Sequence, residues 1–191
     1  MQDEAIKPTF HHFNLKTTQL QALVDWYSVV VGAEVVFKDD VGAWLTNDAA
    51  NHRIALLAFP GFADDPEKDT RSGIHHSAFE YHAFNDLNSS YLRLRAEGIE
   101  PDYCIDHGMT LSYYYRDPDG NYVELQVDVF GDWGASKRWM QTSPEFKANP
   151  IGVFVDPAKI ADAAASGELL DVIHRRAMAG DFNLPGADGA A

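Results

Sequence analysis

At 191 residues, 46% hydrophobic and 12% aromatic, the chain is long enough for one sizeable domain or two small ones packed together. Its 29 acidic residues against 15 basic ones give a formal charge of −14, which argues against nucleic acid or an anionic membrane as a partner. No run of about eighteen apolar residues occurs and the first residues lack an apolar signal stretch, so neither a transmembrane helix nor a secretory signal is expected. The single cysteine, Cys104, cannot close an intrachain disulfide, and a reducing cytoplasm is the expected compartment.

Along the chain, residues 9–60 read as a first module. The stretch 11–32, HHFNLKTTQLQALVDWYSVVVG, is a His-His strand followed by a helix that stops at Gly32. Leu20, Leu23, Val24 and Tyr27 fall at i, i+3, i+4 and i+7, the stripe of an amphipathic helix. Three short extended runs follow at about 34–38, 42–46 and 52–59. The acidic loop 60–73 carries Pro, Gly and Ser and reads as a surface connection.

A second module, 74–129, repeats the first. The stretch 75–98, HHSAFEYHAFNDLNSSYLRLRAEG, is again a His-His strand and a helix, now stopping at Gly98, with Leu87, Tyr91 and Leu94 on one side. Extended runs follow at about 102–106, 110–116 and 122–127. The last one aligns with its counterpart: DAANHRIALL at 48–57 lies over DPDGNYVELQ at 117–126, whose Asp-Pro-Asp-Gly-Asn is a strong turn signal. The repeated unit is βαβββ, and the expected class is α+β. Residues 130–191 stand outside the repeat. They hold Trp133, Trp139, an Asn149-Pro150-Ile151-Gly152 segment, helical stretches near 157–166 and 169–179, and a Gly/Ala-rich tail from 183 that is expected to fray.

The repeat aligns three potential metal ligands. Strand side chains alternate faces. In the first strand His12, Asn14 and Lys16 share the face opposite Phe13 and Leu15; in the fifth His76, Ala78 and Glu80 alternate with Phe79 and Tyr81. In the last, Tyr122, Glu124 and Gln126 oppose Val123, Leu125 and Val127. His12, His76 and Glu124 therefore share one polar parity, and His11 and His75 fall on the opposite faces. Two neutral imidazoles and one carboxylate form the facial triad that suits non-heme Fe(II) and leaves coordination positions open. Cys104 reads as a small apolar side chain, and His52, His82 and His174 receive no role.

On these residues the chain resembles the vicinal-oxygen-chelate superfamily, which includes glyoxalase I, bleomycin and fosfomycin resistance proteins and type I extradiol dioxygenases; the match covers about residues 9–129. The resemblance implies paired βαβββ modules forming an open, cup-shaped mixed β-barrel around a metal, with His12, His76 and Glu124 as its ligands. Segment 106–125, DHGMTLSYYYRDPDGNYVEL, is most similar to the ring-cleaving dioxygenases. There Tyr114, ten residues before Glu124, matches a tyrosine that hydrogen-bonds substrate, and His107 matches a pocket histidine that would move a proton. Glyoxalase-like members often use four protein ligands, but the first-module counterpart of Glu124 is Ala55, whose methyl cannot coordinate.

The resemblance therefore implies a small Fe(II)-dependent extradiol enzyme, with Mn(II) or Zn(II) as alternative metals. Its partners would be an aromatic vicinal diol of the biphenyl-2,3-diol type and O₂, and it would be a homodimer or higher homo-oligomer. The rival readings are a metal lyase or isomerase of the same fold and a non-enzymatic sequestering protein. One departure stands out: many two-domain extradiol enzymes carry an acid-base histidine about fifteen residues before the second ligand histidine, where this chain has Gly61, Phe62 and Ala63.

Overall fold

The computed structural model describes residues 5–184. Two compact units result, Met1–Gly73 and Ile74–Ala191. No helix of the described residues is long and apolar enough to cross a membrane. The expected fraying of the tail falls, from residue 185 on, outside the described residues.

The first unit runs β1 (Phe13–Lys16), α1 (Leu20–Val30), β2 (Glu34–Lys38), β3 (Gly42–Thr46) and β4 (Ile54–Leu57). Its sheet has the order β1-β4-β3-β2, with β1 parallel to β4 and the other pairs antiparallel. The apolar stripe of α1 decides what it covers: Leu23, Val24, Tyr27 and Val30 are buried, as are Leu45, Ile54 and Leu56 of the sheet. The helix stops where Gly32 takes φ +66°, a left-handed conformation that a side chain would oppose. The run expected over 52–59 shortens to Ile54–Leu57 because Asp48 organises the preceding turn. Its carboxylate accepts the Ala50 amide at 2.8 Å and the Arg53 guanidinium at 2.8–2.9 Å. The connecting loop, mostly exposed as expected, contains a short 3₁₀ turn at Lys68–Thr70.

The second unit repeats that order as β5 (His76–Tyr81), α2 (Phe84–Ala96), β6 (Tyr103–Asp106), β7 (Thr110–Arg116) and β8 (Tyr122–Asp128). Here β5 lies parallel to β8, and Leu87, Tyr91 and Leu94 of α2 are buried together with Leu111, Tyr113, Tyr115, Val123 and Leu125. Tyr91 meets Tyr113 edge to face, with ring centroids 5.6 Å apart. The α+β class and the doubled βαβββ order agree with the sequence reading. Each unit has its own mixed sheet, of four strands in the first and five in the second.

The C-terminal segment holds more structure than its periodicity predicts. The two expected helices are present as α5 (Pro157–Ala165) and α6 (Leu170–Met178), and α3 (Trp133–Thr142), α4 (Pro144–Ala148) and β9 (Val153–Phe154) precede them. Local capping explains two of these. Asp132 accepts the Ala135 amide at the start of α3, and Ser143 accepts the Phe146 amide, with Pro144 opening α4. Strand β9 pairs antiparallel with β6, Ile105 opposite Phe154, and extends the sheet to the order β5-β8-β7-β6-β9.

Candidate metal centre

In the second unit, parallel pairing sets Ala78 opposite Glu124, and antiparallel pairing sets Tyr114 opposite Glu124 from the other side. The His76 imidazole at the start of β5 is then within reach of that carboxylate: its Nε2 lies 3.0 Å from Glu124 Oε2. Glu124 is only 5% exposed. Burial raises its carboxyl pKa, but hydrogen bonds from His76 and Ser112 outweigh that and hold it below the ordinary value. The group is thus kept anionic in a poorly solvated place, as a cation ligand requires. The Nδ1 of His76 lies 2.9 Å from Nδ1 of His75, whose ring stacks on Tyr122. One nitrogen of that pair must carry the hydrogen and the other the lone pair.

Tyr114 and His107 complete the group. Tyr114 is 4% exposed, stacked on Tyr103 with centroids 4.5 Å apart and met edge-on by His76 at 5.4 Å. Its hydroxyl lies 2.8 Å from His107 Nε2, while His107 Nδ1 lies 2.5 Å from the Ile151 carbonyl oxygen. A carbonyl can only accept, so Nδ1 carries the hydrogen, and in the neutral ring Nε2 accepts from Tyr114. Burial, ahead of the opposing pull of Glu124, lowers the His107 pKa and favours that neutral form. Burial and the Glu124 carboxylate together push the Tyr114 phenol far up, so it stays a hydrogen-bond donor.

These four side chains line a cleft of about 560 Å³. Two further walls come from the C-terminal segment. Trp133, Ser136, Lys137 and Met140 line it from α3. They fall at i, i+3, i+4 and i+7, so a helix capped by Asp132 presents one face to the cleft. That spacing, read with the Asp132 cap, was available in the sequence. Trp133 is 73% exposed and its indole N–H donates to the Glu80 carboxylate at 2.9 Å, which fixes the rim. Pro150 also lines the cleft, and Ile151 beside it supplies the carbonyl that orients His107; nothing in the chain's periodicity marks either.

The remaining predicted ligand, His12, belongs to the first unit. It directly precedes β1, beside His11 and His52, with ring centroids 5.2 Å from His11 and 4.3 Å from His52. Ala55 is confirmed as the counterpart of Glu124: β4 sets it opposite Asn14, two residues after His12, as β8 sets Glu124 opposite Ala78, two residues after His76. It is 1% exposed, and no carboxylate takes its place. Of the histidines given no role, His174 makes a 2.8 Å contact with Asp106, a structural pairing, and His82 is exposed. His52, also given no role, lies in the first-unit cluster beside His12.

Residues 9–125 match the model of the Glyoxalase/Bleomycin resistance protein/Dioxygenase superfamily. Biphenyl-2,3-diol 1,2-dioxygenase 2 of Rhodococcus globerulus is 40% identical over 172 residues, covering 90% of either chain. Biphenyl-2,3-diol 1,2-dioxygenase 3 of the same organism is 40% identical over 162 residues, covering 85% of either chain. Among solved structures, a lactoylglutathione lyase from Agrobacterium tumefaciens superposes with a TM-score of 0.52 at 23% identity, over 67% of this chain and 98% of that one. This last likeness bears on the fold alone. By sequence and by fold, the chain belongs to the glyoxalase/bleomycin resistance protein/dioxygenase superfamily.

Proposed function

We propose that the protein is an extradiol ring-cleavage dioxygenase for an aromatic vicinal diol, with Fe(II) held by His12, His76 and Glu124. The observation that carries this reading is the buried, anionic Glu124 beside His76 in a cleft that also holds the Tyr114–His107 pair. The donor set fits the metal: imidazole nitrogen and one carboxylate suit divalent iron. Alanine at position 55 withholds the fourth protein ligand and so leaves coordination positions for the diol and O₂. The relatives named for biphenyl-2,3-diol cleavage support the substrate class.

Bound Fe(II) would supply Lewis acidity toward the diol and the electronic link between diol and O₂. The chain's own residues do the rest. Neutral His107 offers Nε2 as the base that takes a diol proton, and the Ile151 carbonyl keeps its Nδ1–H in place. Tyr114 donates to that nitrogen while the ring is neutral, accepts from it once it is protonated, and keeps its own proton in both states. His107 thereby fills the acid-base position that is vacant near residues 61–63. Trp133, Met109 and Met140 offer apolar surface against which a second aromatic ring can pack.

The test is anaerobic loading of metal-free protein with Fe(II), then oxygen-electrode assays with catechol, 3-methylcatechol and 2,3-dihydroxybiphenyl. Oxygen uptake with at least one diol, and loss of both iron content and uptake in His76→Ala and Glu124→Gln, are expected. No uptake across the panel, or full iron content in both variants, would contradict the proposal.

A further inference from the structure

The first unit gathers three imidazoles at one spot. His11, His12 and His52 each present a ring nitrogen, and the three ligand atoms lie within 4.8 Å of one another. The Nδ1 atoms of His11 and His12 are 2.9 Å apart, and the His52 ring sits 5.2 Å from that of His11. A metal at the usual zinc–nitrogen bond length of about 2.0–2.1 Å sets its ligand nitrogens roughly 3.4 Å apart in a tetrahedron, so small rotations close the set.

The arrangement follows from the topology. Parallel pairing of β1 with β4 sets Phe13 opposite Ile54 and so brings the residues just ahead of each strand side by side. Arg53 fixes the junction: its guanidinium donates to the His11 carbonyl at 2.8 Å while paired with Asp48, and its own carbonyl accepts the Phe13 amide. The second unit has the same adjacent-histidine contact, 2.9 Å between His75 and His76, but no third imidazole. The aligned position there is Asn121, whose amide is bound to Asp117. The three-histidine cluster is thus particular to the first unit.

We propose that His11, His12 and His52 form a second divalent-cation site, selective for a borderline metal such as Zn²⁺. An all-imidazole set without a carboxylate suits Zn²⁺, Ni²⁺ or Cu²⁺ rather than Mg²⁺ or Ca²⁺, and at a given nitrogen site Zn²⁺ binds more tightly than Fe²⁺. The site stands on the first unit alone. One consequence rests on the iron reading above: His12 serves both sets, so Zn²⁺ bound here takes a ligand from the catalytic iron, and the two occupancies exclude each other.

The experiment uses full-length, metal-free protein. In the His76→Ala background, where the proposed iron set is broken, calorimetric titration with Zn²⁺ should still show one site. Adding His52→Ala should weaken it at least about tenfold, in line with the cost of disturbing a metal shell. Equal affinity in the two proteins overturns the site. A second readout avoids any folding defect: Zn²⁺ should protect His11 and His52 of the wild-type chain from diethylpyrocarbonate, read by peptide mass spectrometry, and unprotected His52 overturns the site. Competition is read as iron content. Zn²⁺ should strip iron from the wild type and strip it less from His52→Ala; equal loss overturns the competition. If His76→Ala retained iron, the catalytic reading would fail while protection of His52 still supported the zinc site.

Discussion

At the scale of single residues, the account turns on the Tyr114–His107 pair. Tyr114→Phe removes one hydroxyl from a packed ring, so stability should change by only about 1 kcal/mol. The turnover number should fall about a hundredfold, because a positioned donor at the reacting atoms is lost; steady-state kinetics beside a thermal melt separates the two effects. His107 gives a second prediction, for metal-free protein. Its folded pKa is depressed below 6.5 by burial, so below that pH the unfolded chain binds more protons than the folded one. Stability should therefore be full above 6.5 and decline as the pH drops beneath it, and His107→Asn should flatten that decline in urea titrations. Both residues were singled out through the family resemblance of segment 106–125 and not by periodicity, and they lie 2.8 Å apart in the cleft. The His11–His12–His52 cluster was not singled out. It joins residues some forty positions apart, and the strand parity that assigned His11 and His12 to opposite faces does not govern their rings, because both precede β1 and their Nδ1 atoms lie 2.9 Å apart.

At the scale of elements, the repeat gave the βαβββ units nearly whole, because each strand and helix carries its own periodicity. The segment after Asp128 was read poorly for a physical reason: α4 has five residues and β9 has two, too short for a periodic signal, and their positions come from caps and pairing. Gly152 shows how tightly that segment is held. It takes φ +94°, and a Cβ there would collide with the Asp106 carbonyl. Gly152→Ala should cost about 3 kcal/mol through strain and displacement, lowering the melting temperature by roughly 6–12 °C. It should also lower turnover, since the Ile151 carbonyl that orients His107 is the preceding residue. Helix α3 makes a separate claim. Trp133→Ala should raise KM for 2,3-dihydroxybiphenyl about tenfold, the scale of losing apolar contact in a pocket, and leave KM for plain catechol nearly unchanged. Equal effects on both diols would remove the rim from substrate selection.

At the scale of the whole molecule, the two copies of the βαβββ unit bring different side chains together. The second copy has the Glu124 carboxylate on its last strand, with Tyr114 and His107 lining the same cleft. The first copy has Ala55 at the matching place and an imidazole cluster at the open end of its sheet. The class of the fold was readable because duplication shows the βαβββ pattern twice; the C-terminal segment was harder to place, because it has no counterpart to compare with. The measurement that tests the central claim most directly is turnover of 2,3-dihydroxybiphenyl by the Fe(II)-loaded protein under ¹⁸O₂, with the product analysed by mass spectrometry. Ring cleavage by this chain, at the bond that the relatives' names give, predicts one O₂ consumed per diol and both labelled atoms in a single ring-opened acid that carries a phenyl ketone; an unlabelled product, or none at all from fully iron-loaded protein, would contradict it.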